Sequence, residues 1–157
     1  MGVRLTRKTD IEAELPFLLD TDDNALLRRA EEALAALQDS AVDAFAEDLA
    51  RAEVAFAAVK ENSADAGADL EALYDAIHCI KGLGGALDFN LLTEIGARLC
   101  RVLKGLKTVD CDDLVRIEAH LSAMRQVLRD DLRGDGGADG VALLTSLDGN
   151  PPVAALQ

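Results

Sequence analysis

Apolar residues recur along this chain in alternating steps of three and four, the spacing that places them on one face of an α-helix. Over 41–61 the stripe is Val42, Phe45, Leu49, Ala52, Phe56 and Val59; over 68–87 it is Leu70, Leu73, Ile77, Ile80, Gly84 and Leu87. Over 91–105 it is Leu92, Ile95, Leu99 and Val102, with Leu106 at a fraying end, and over 111–132 it is Leu114, Ile117, Leu121, Met124 and Leu128. Helices joined by short linkers settle beside their chain neighbours in opposite directions, so the pattern predicts an all-α, antiparallel up-down-up-down four-helix bundle. An additional N-terminal helix is expected over 24–37, where Leu27, Ala30, Leu34 and Leu37 share a face that would pack across one end or side of the bundle.

The punctuation fits these elements. Ser40 with Asp43, and Asp110 with Asp113, have the spacing of helix-start pairs, and Asn90 is placed to cap the third bundle helix. The linker 62–67 is rich in Asn, Ser, Asp and Gly, which is turn chemistry. After Leu132 the run from Arg133 to Gly140 holds four glycines. Each interior glycine costs a helix about 1 kcal/mol relative to Ala, so 133–157 is expected to be a flexible C-terminal tail with a short apolar turn over 141–147. The expected organisation is an N-terminal segment over 1–23, one helical domain over 24–132 with its core helices in 41–132, and that tail.

Composition narrows the function classes. The chain has 157 residues, half of them hydrophobic, enough for a single domain with a real core; aromatics at 3% and the absence of Trp disfavour a β-rich fold. Its formal charge of -13 would repel nucleic-acid backbones and anionic lipid headgroups, so neither nucleic acid nor a membrane is an expected partner. No apolar run approaches the length of a membrane span, and no apolar signal core follows Arg4, Arg7 and Lys8; the expected location is cytoplasmic. Cys79, Cys100 and Cys111 lack the spacing of a disulfide framework or a zinc site and read as reduced thiols.

Two histidines remain for chemistry. His78 follows the core position Ile77, and a rotation of about 100° carries it to the outer face of its helix with Glu71, Tyr74, Asp75, Lys81, Gly82 and Gly85. A solvent-facing imidazole offers a ring-nitrogen lone pair to a partner and can act as a nucleophile. Gly82 and Gly85, four and seven residues further on, stand where an ordinary exposed helix would carry Ala, Glu or Lys. With Gly84 on the core stripe, they cost the helix about 3 kcal/mol of propensity, and the gain they offer is clearance for a partner's backbone above the ring. Lys81, three residues from His78, would stabilise a negative group on the imidazole. Tyr74, one turn before His78, is a candidate for partner docking; Phe56 fits the stripe and reads as core. His120 precedes the core position Leu121 and is expected on a solvent-facing flank in a structural role. The pairs Glu31-Glu32, Asp112-Asp113 and Asp130-Asp131 read as solvated faces and caps.

The run His78-Cys79-Ile80-Lys81-Gly82-Leu83-Gly84-Gly85-Ala86-Leu87 resembles the signature of the histidine-containing phosphotransfer (HPt) domain of two-component phosphorelays, and the resemblance spans roughly 41–132. That family carries His-x-apolar-Lys-Gly on the second helix of a four-helix bundle. Leu83 differs from the small residue usual there, and Asp88 stands where Gly is common.

The resemblance implies a phosphorelay intermediate. His78 would accept a phosphoryl group through Nε2 from the aspartate of one receiver domain and pass it to the aspartate of another response regulator. Lys81 would be its electrostatic companion, and Gly82, Gly85 and Tyr74 would face the docked receiver. The implied partners are response-regulator receiver domains and a hybrid sensor histidine kinase. No cofactor is expected on this chain, since magnesium would belong to the receiver. No nucleotide-binding motif is readable, so the expectation is a phosphocarrier without ATP-binding or autokinase activity, and not an enzyme in its own right. The chain has no room for an ATPase domain, which favours a free-standing, monomeric carrier over the phosphotransfer part of a larger kinase. The alternative is a non-catalytic helical adaptor that binds a partner through a bundle face, with His78 incidental.

Overall fold

A computed structural model describes residues 23–149, and every described element is helical. The helices are α1 (Asp23–Glu61), α2 (Gly67–Gly84), α3 (Asn90–Gly105), α4 (Cys111–Arg129) and α5 (Gly137–Asp148), with short 3-10 turns at Ser63–Asp65 and Gly85–Leu87. Among the described residues no helix is long and apolar enough to cross a membrane. The chain divides into two compact units, Met1–Ser40 and Ala41–Gln157. The expected N-terminal segment 1–23, apart from Asp23, and the last part of the tail, 150–157, lie outside the described residues.

In the first unit the described residues are helical throughout, and Leu26, Leu27, Leu34 and Leu37 are all more than half exposed. The separate accessory helix expected over 24–37 is not found: α1 runs unbroken from Asp23 to Glu61. The Ser40–Asp43 pair therefore starts no helix. Residues 36–44 contain neither Gly nor Pro, and Ser or Asp inside a helix costs only a few tenths of a kcal/mol, too little to break one.

The second unit is built on one hydrophobic cluster fed by the C-terminal half of α1 and by α2, α3 and α4. Phe45, Leu49, Ala52, Phe56 and Val59 face it from α1; Leu70, Leu73, Ile77 and Ile80 from α2; Leu92, Ile95 and Leu99 from α3; Ile117, Leu121 and Met124 from α4. Residues predicted one by one from the three-four spacing thus meet in one core. Val42, Leu114 and Leu128 are only partly buried at its border, and Val102, expected on the α3 stripe, lies outside the cluster, whereas its neighbour Leu103 is buried in it. Asp110 caps α4 as its spacing predicts, its carboxylate accepting from the Asp113 amide at 2.8 Å while Asp113 accepts from the Asp110 amide at 3.2 Å. Asn90 is instead the first residue of α3, and Phe89 holds the cap position.

Two further expectations need correction. α2 ends at Gly84 and not at Leu87, which the following 3-10 turn leaves only partly buried against the core; Asp88 then turns the chain with φ 61, and Phe89 is fully buried. Phe89 packs edge-on against Phe45, their centroids 5.3 Å apart. The glycine-rich stretch is not a flexible tail either. Gly134 and Gly136, at φ 60 and 74, turn the chain into α5, whose Leu143, Leu144 and Leu147 pack against the core. The Gly134 amide donates to the Asp88 carbonyl at 2.7 Å, and the Gly134 carbonyl accepts from the Leu91 amide at 2.9 Å. Arg133 lies over the Phe89 ring, 4.2 Å from its centroid, and Arg98 of α3 pairs with Asp148 of α5. Glycines that would weaken an exposed helix here supply left-handed backbone that few other residues adopt.

Candidate functional site

α2 presents its buried face to the core through Leu73, Ile77 and Ile80, so His78, one position on from Ile77, is exposed. Tyr74, a turn earlier, is half-buried, and the two rings stack with centroids 5.7 Å apart and planes inclined by 16°. The Nζ of Lys104, from the last turn of α3, lies 5.5 Å from the Tyr74 centroid.

Gly82, Gly84 and Gly85 all keep right-handed helical backbone, yet they serve different ends. A β-carbon on Gly84 would lie 2.4 Å from Thr93 Oγ1 and 2.9 Å from the Phe89 carbonyl oxygen, so this glycine lets α3 approach α2 closely. A β-carbon on Gly82 would meet nothing within 4 Å, and one on Gly85 would meet only Thr93 Oγ1 at 3.8 Å. Nothing among the described residues requires glycine at these two exposed positions.

Lys81 is half-exposed and closely held. Its carbonyl accepts from the Thr93 hydroxyl at 3.0 Å, and a β-carbon on Gly96 would come within 3.1 Å of Lys81 Cβ. Thr93 and Gly96 of α3 thus pin the last turns of α2, a role that no spacing within α2 announces. Lys81 and Lys104 flank Cys100: burial pushes that thiol up from its ordinary range, and both ammonium groups pull it the other way. Neither lysine pairs with a carboxylate among the described residues, although the chain as a whole is strongly acidic. Cys79, beside His78, is exposed and, like the other two cysteines, free.

His78, Lys81, Gly82, Gly85 and Tyr74, each named from sequence, therefore lie on the last turns of α2 and the 3-10 turn that follows. Lys104 joins them across the α2–α3 contact. Phe56 is buried at 3% exposure, as its place on the stripe predicts.

His120 is not on a solvent-facing flank: it is buried, with only 4% exposure, and its Nδ1–H donates to the Arg116 carbonyl at 2.7 Å. Burial depresses its pKa below the ordinary 6.5, and the Arg98 and Arg116 cations act in the same direction against the Arg116 carbonyl bond and Asp148. The neutral ring is favoured in the fold while the unfolded chain takes up a proton below about pH 6.5, so the native state binds fewer protons in that window. Stability should hold above pH 6.5 and fall as the pH drops below it. Urea midpoints measured from pH 7.5 to 5 should show this slope in the wild type, and His120→Gln should flatten it whatever its effect at pH 7.

Comparison with protein-family models, with curated proteins and with solved structures finds no match to this chain.

Proposed function

We propose that this protein is a phosphorelay carrier: the C-terminal half of α1 together with α2, α3 and α4 forms a four-helix bundle that presents His78 to receiver domains. The observation that carries this reading is the open space over Gly82 and Gly85 beside an exposed imidazole. Exposed helical glycines that no contact requires forfeit about 1 kcal/mol each, and a closely approaching partner gives them a purpose.

The Nε2 lone pair of His78 attacks the phosphorus of an aspartyl phosphate on the incoming receiver. The phosphorus–nitrogen bond forms as the bond to the aspartate oxygen breaks; the carboxylate departs with the electron pair, and Nδ1 keeps its proton. Reversal of the step on a second receiver's aspartate completes the relay. Lys81 offsets the charge that accumulates beside the ring. Magnesium stays with the receiver, whose carboxylates hold it.

The test is transfer of radiolabelled phosphate from a panel of phosphorylated receiver domains. Acid-labile, base-stable label on this protein supports the carrier; a broad panel that transfers nothing removes the reading. The exposed row Leu26, Leu27, Leu34 and Leu37 favours a second reading, a helical adaptor whose partner covers apolar surface.

Clearance has its own test. Gly85→Glu enters ordinary contact distance of Thr93 Oγ1, so the fold should hold, with a melting temperature equal to or above that of the wild type. Transfer from a receiver should nevertheless slow by about tenfold or more, because the new side chain occupies the partner's approach. Unchanged transfer rates in the folded variant would show that the open space has no such use.

A further inference from the structure

We infer that Tyr74 and Lys104 are positioning residues for His78: the tyrosine ring, beneath the Lys104 ammonium, sets the plane of the imidazole and so aims its reacting nitrogen. The inference rests on the carrier reading for its chemistry and on contacts across α2 and α3 for its geometry. An exposed histidine on a helix has a broad second torsion, and no core side chain sets its ring plane. Helical side chains lean toward the N-terminus, which brings His78 back over the turn that carries Tyr74. The two rings are nearly parallel, inclined by only 16°. Tyr74 is itself held, since it packs against the core cluster and lies under Lys104 Nζ. The plane of the imidazole is thus referred through Tyr74 to α3, an element that the reacting helix contacts closely along Thr93 and Gly96.

Orientation matters for this step because attack on phosphorus is in line: the nitrogen lone pair, phosphorus and departing carboxylate oxygen align. A ring free to swing spends much of its time with that lone pair misdirected. Held by the stack, it loses this freedom before the receiver arrives.

The test combines a spectroscopic and a kinetic readout on the full chain. In proton NMR, the Cδ2 and Cε1 protons of His78 should be shifted by the ring current of Tyr74, move toward exposed-histidine positions in Tyr74→Leu, and stay shifted in Tyr74→Phe. With a receiver domain that labels the wild type, Tyr74→Leu should lower the maximal transfer rate about tenfold and leave the half-saturating receiver concentration within about twofold. Tyr74→Phe should keep the wild-type rate. Lys104→Met should lose a few-fold, and Lys104→Arg, whose guanidinium also sits on aromatic faces, should restore it.

Identical His78 shifts in wild type and Tyr74→Leu, or equal maximal rates for the two, would overturn the positioning role while leaving the carrier reading intact. A change confined to half-saturation would assign Tyr74 to docking instead and equally overturn it. Failure of the wild type itself to take label removes the carrier reading and, with it, the purpose assigned to the stack.

Discussion

With His78 replaced by glutamine, transfer from every receiver that labels the wild type should fall to background, a loss of about a thousandfold or more. Glutamine keeps a polar, planar group of similar reach and suits a helix, but its amide nitrogen has no lone pair available to attack phosphorus. Because His78 is exposed and outside the core cluster, the change opens no cavity. The melting temperature should therefore stay within a few °C of the wild type, since only the exposed stack on Tyr74 is lost and the core is untouched. Loss of label with an unchanged melting curve would isolate the chemistry at one ring. Equal labelling of the two proteins would place the phosphate elsewhere and end the carrier reading. An adaptor that binds through apolar surface would be indifferent to His78→Gln and sensitive to Leu27→Glu or Leu34→Glu.

The uneven legibility of the fold has particular causes. Stripes with unambiguous spacing, such as Phe45-Leu49-Ala52-Phe56-Val59, were readable because burial on one helical face leaves a period that nothing else imitates. The Ser40–Asp43 pair misled because a capping signal only permits a helix to begin; it does not oblige the preceding residues to leave one. The glycines after Arg133 misled for the opposite reason. Propensity treats each as a loss, whereas Gly134 and Gly136 occupy left-handed backbone and Gly140 admits the backbone of the loop that leads into its own helix, demands that exist only once the chain has folded. The misplacement of His120 follows from that error. With α5 absent from the expected fold, the flank of α4 beside Leu121 looked open; in the structure, Asp148 of α5 and Arg98 of α3 both act on the His120 ring. At the candidate site, the residues within α2 were legible from rotation about a single helix. Lys104, Thr93 and Gly96 were not, since naming them requires knowing which face of α3 meets α2. Gly96, a glycine inside a strongly apolar helical pattern, was the available cue to close approach. Asp88 adopts a φ of 61, backbone that glycine favours and Asp tolerates, and nothing in the spacing of α2 announces it.

Gly140→Ala should release the C-terminal segment and lower the melting temperature by about 5–10 °C. An added β-carbon would lie 1.9 Å from the Asp135 carbonyl oxygen and 2.9 Å from its carbon. These are backbone atoms that no rotamer change moves aside, so the loop 133–136 has to shift. That loop holds both bonds to the α2–α3 corner, from Gly134 to Asp88 and from Leu91 to Gly134, and its displacement undocks Leu143, Leu144 and Leu147 as well. Overpacking and the loss of those bonds together cost about 2–4 kcal/mol. Limited proteolysis should then cut within 133–149 at protease levels that leave the wild type intact. Gly82→Ala is the control, since its β-carbon enters open space and should raise stability by about 1 kcal/mol. The acid slope offers a second readout that a general weakening would not produce. If α5 leaves and water reaches His120, the burial that depresses its pKa weakens; this is the largest cause and outweighs the loss of Asp148, whose charge acts the other way, so the steepening below pH 6.5 should shrink in Gly140→Ala. An unchanged melting temperature together with undiminished protease resistance would mean that 133–149 contributes nothing to the folded core, returning that segment to the mobile tail its glycines suggest.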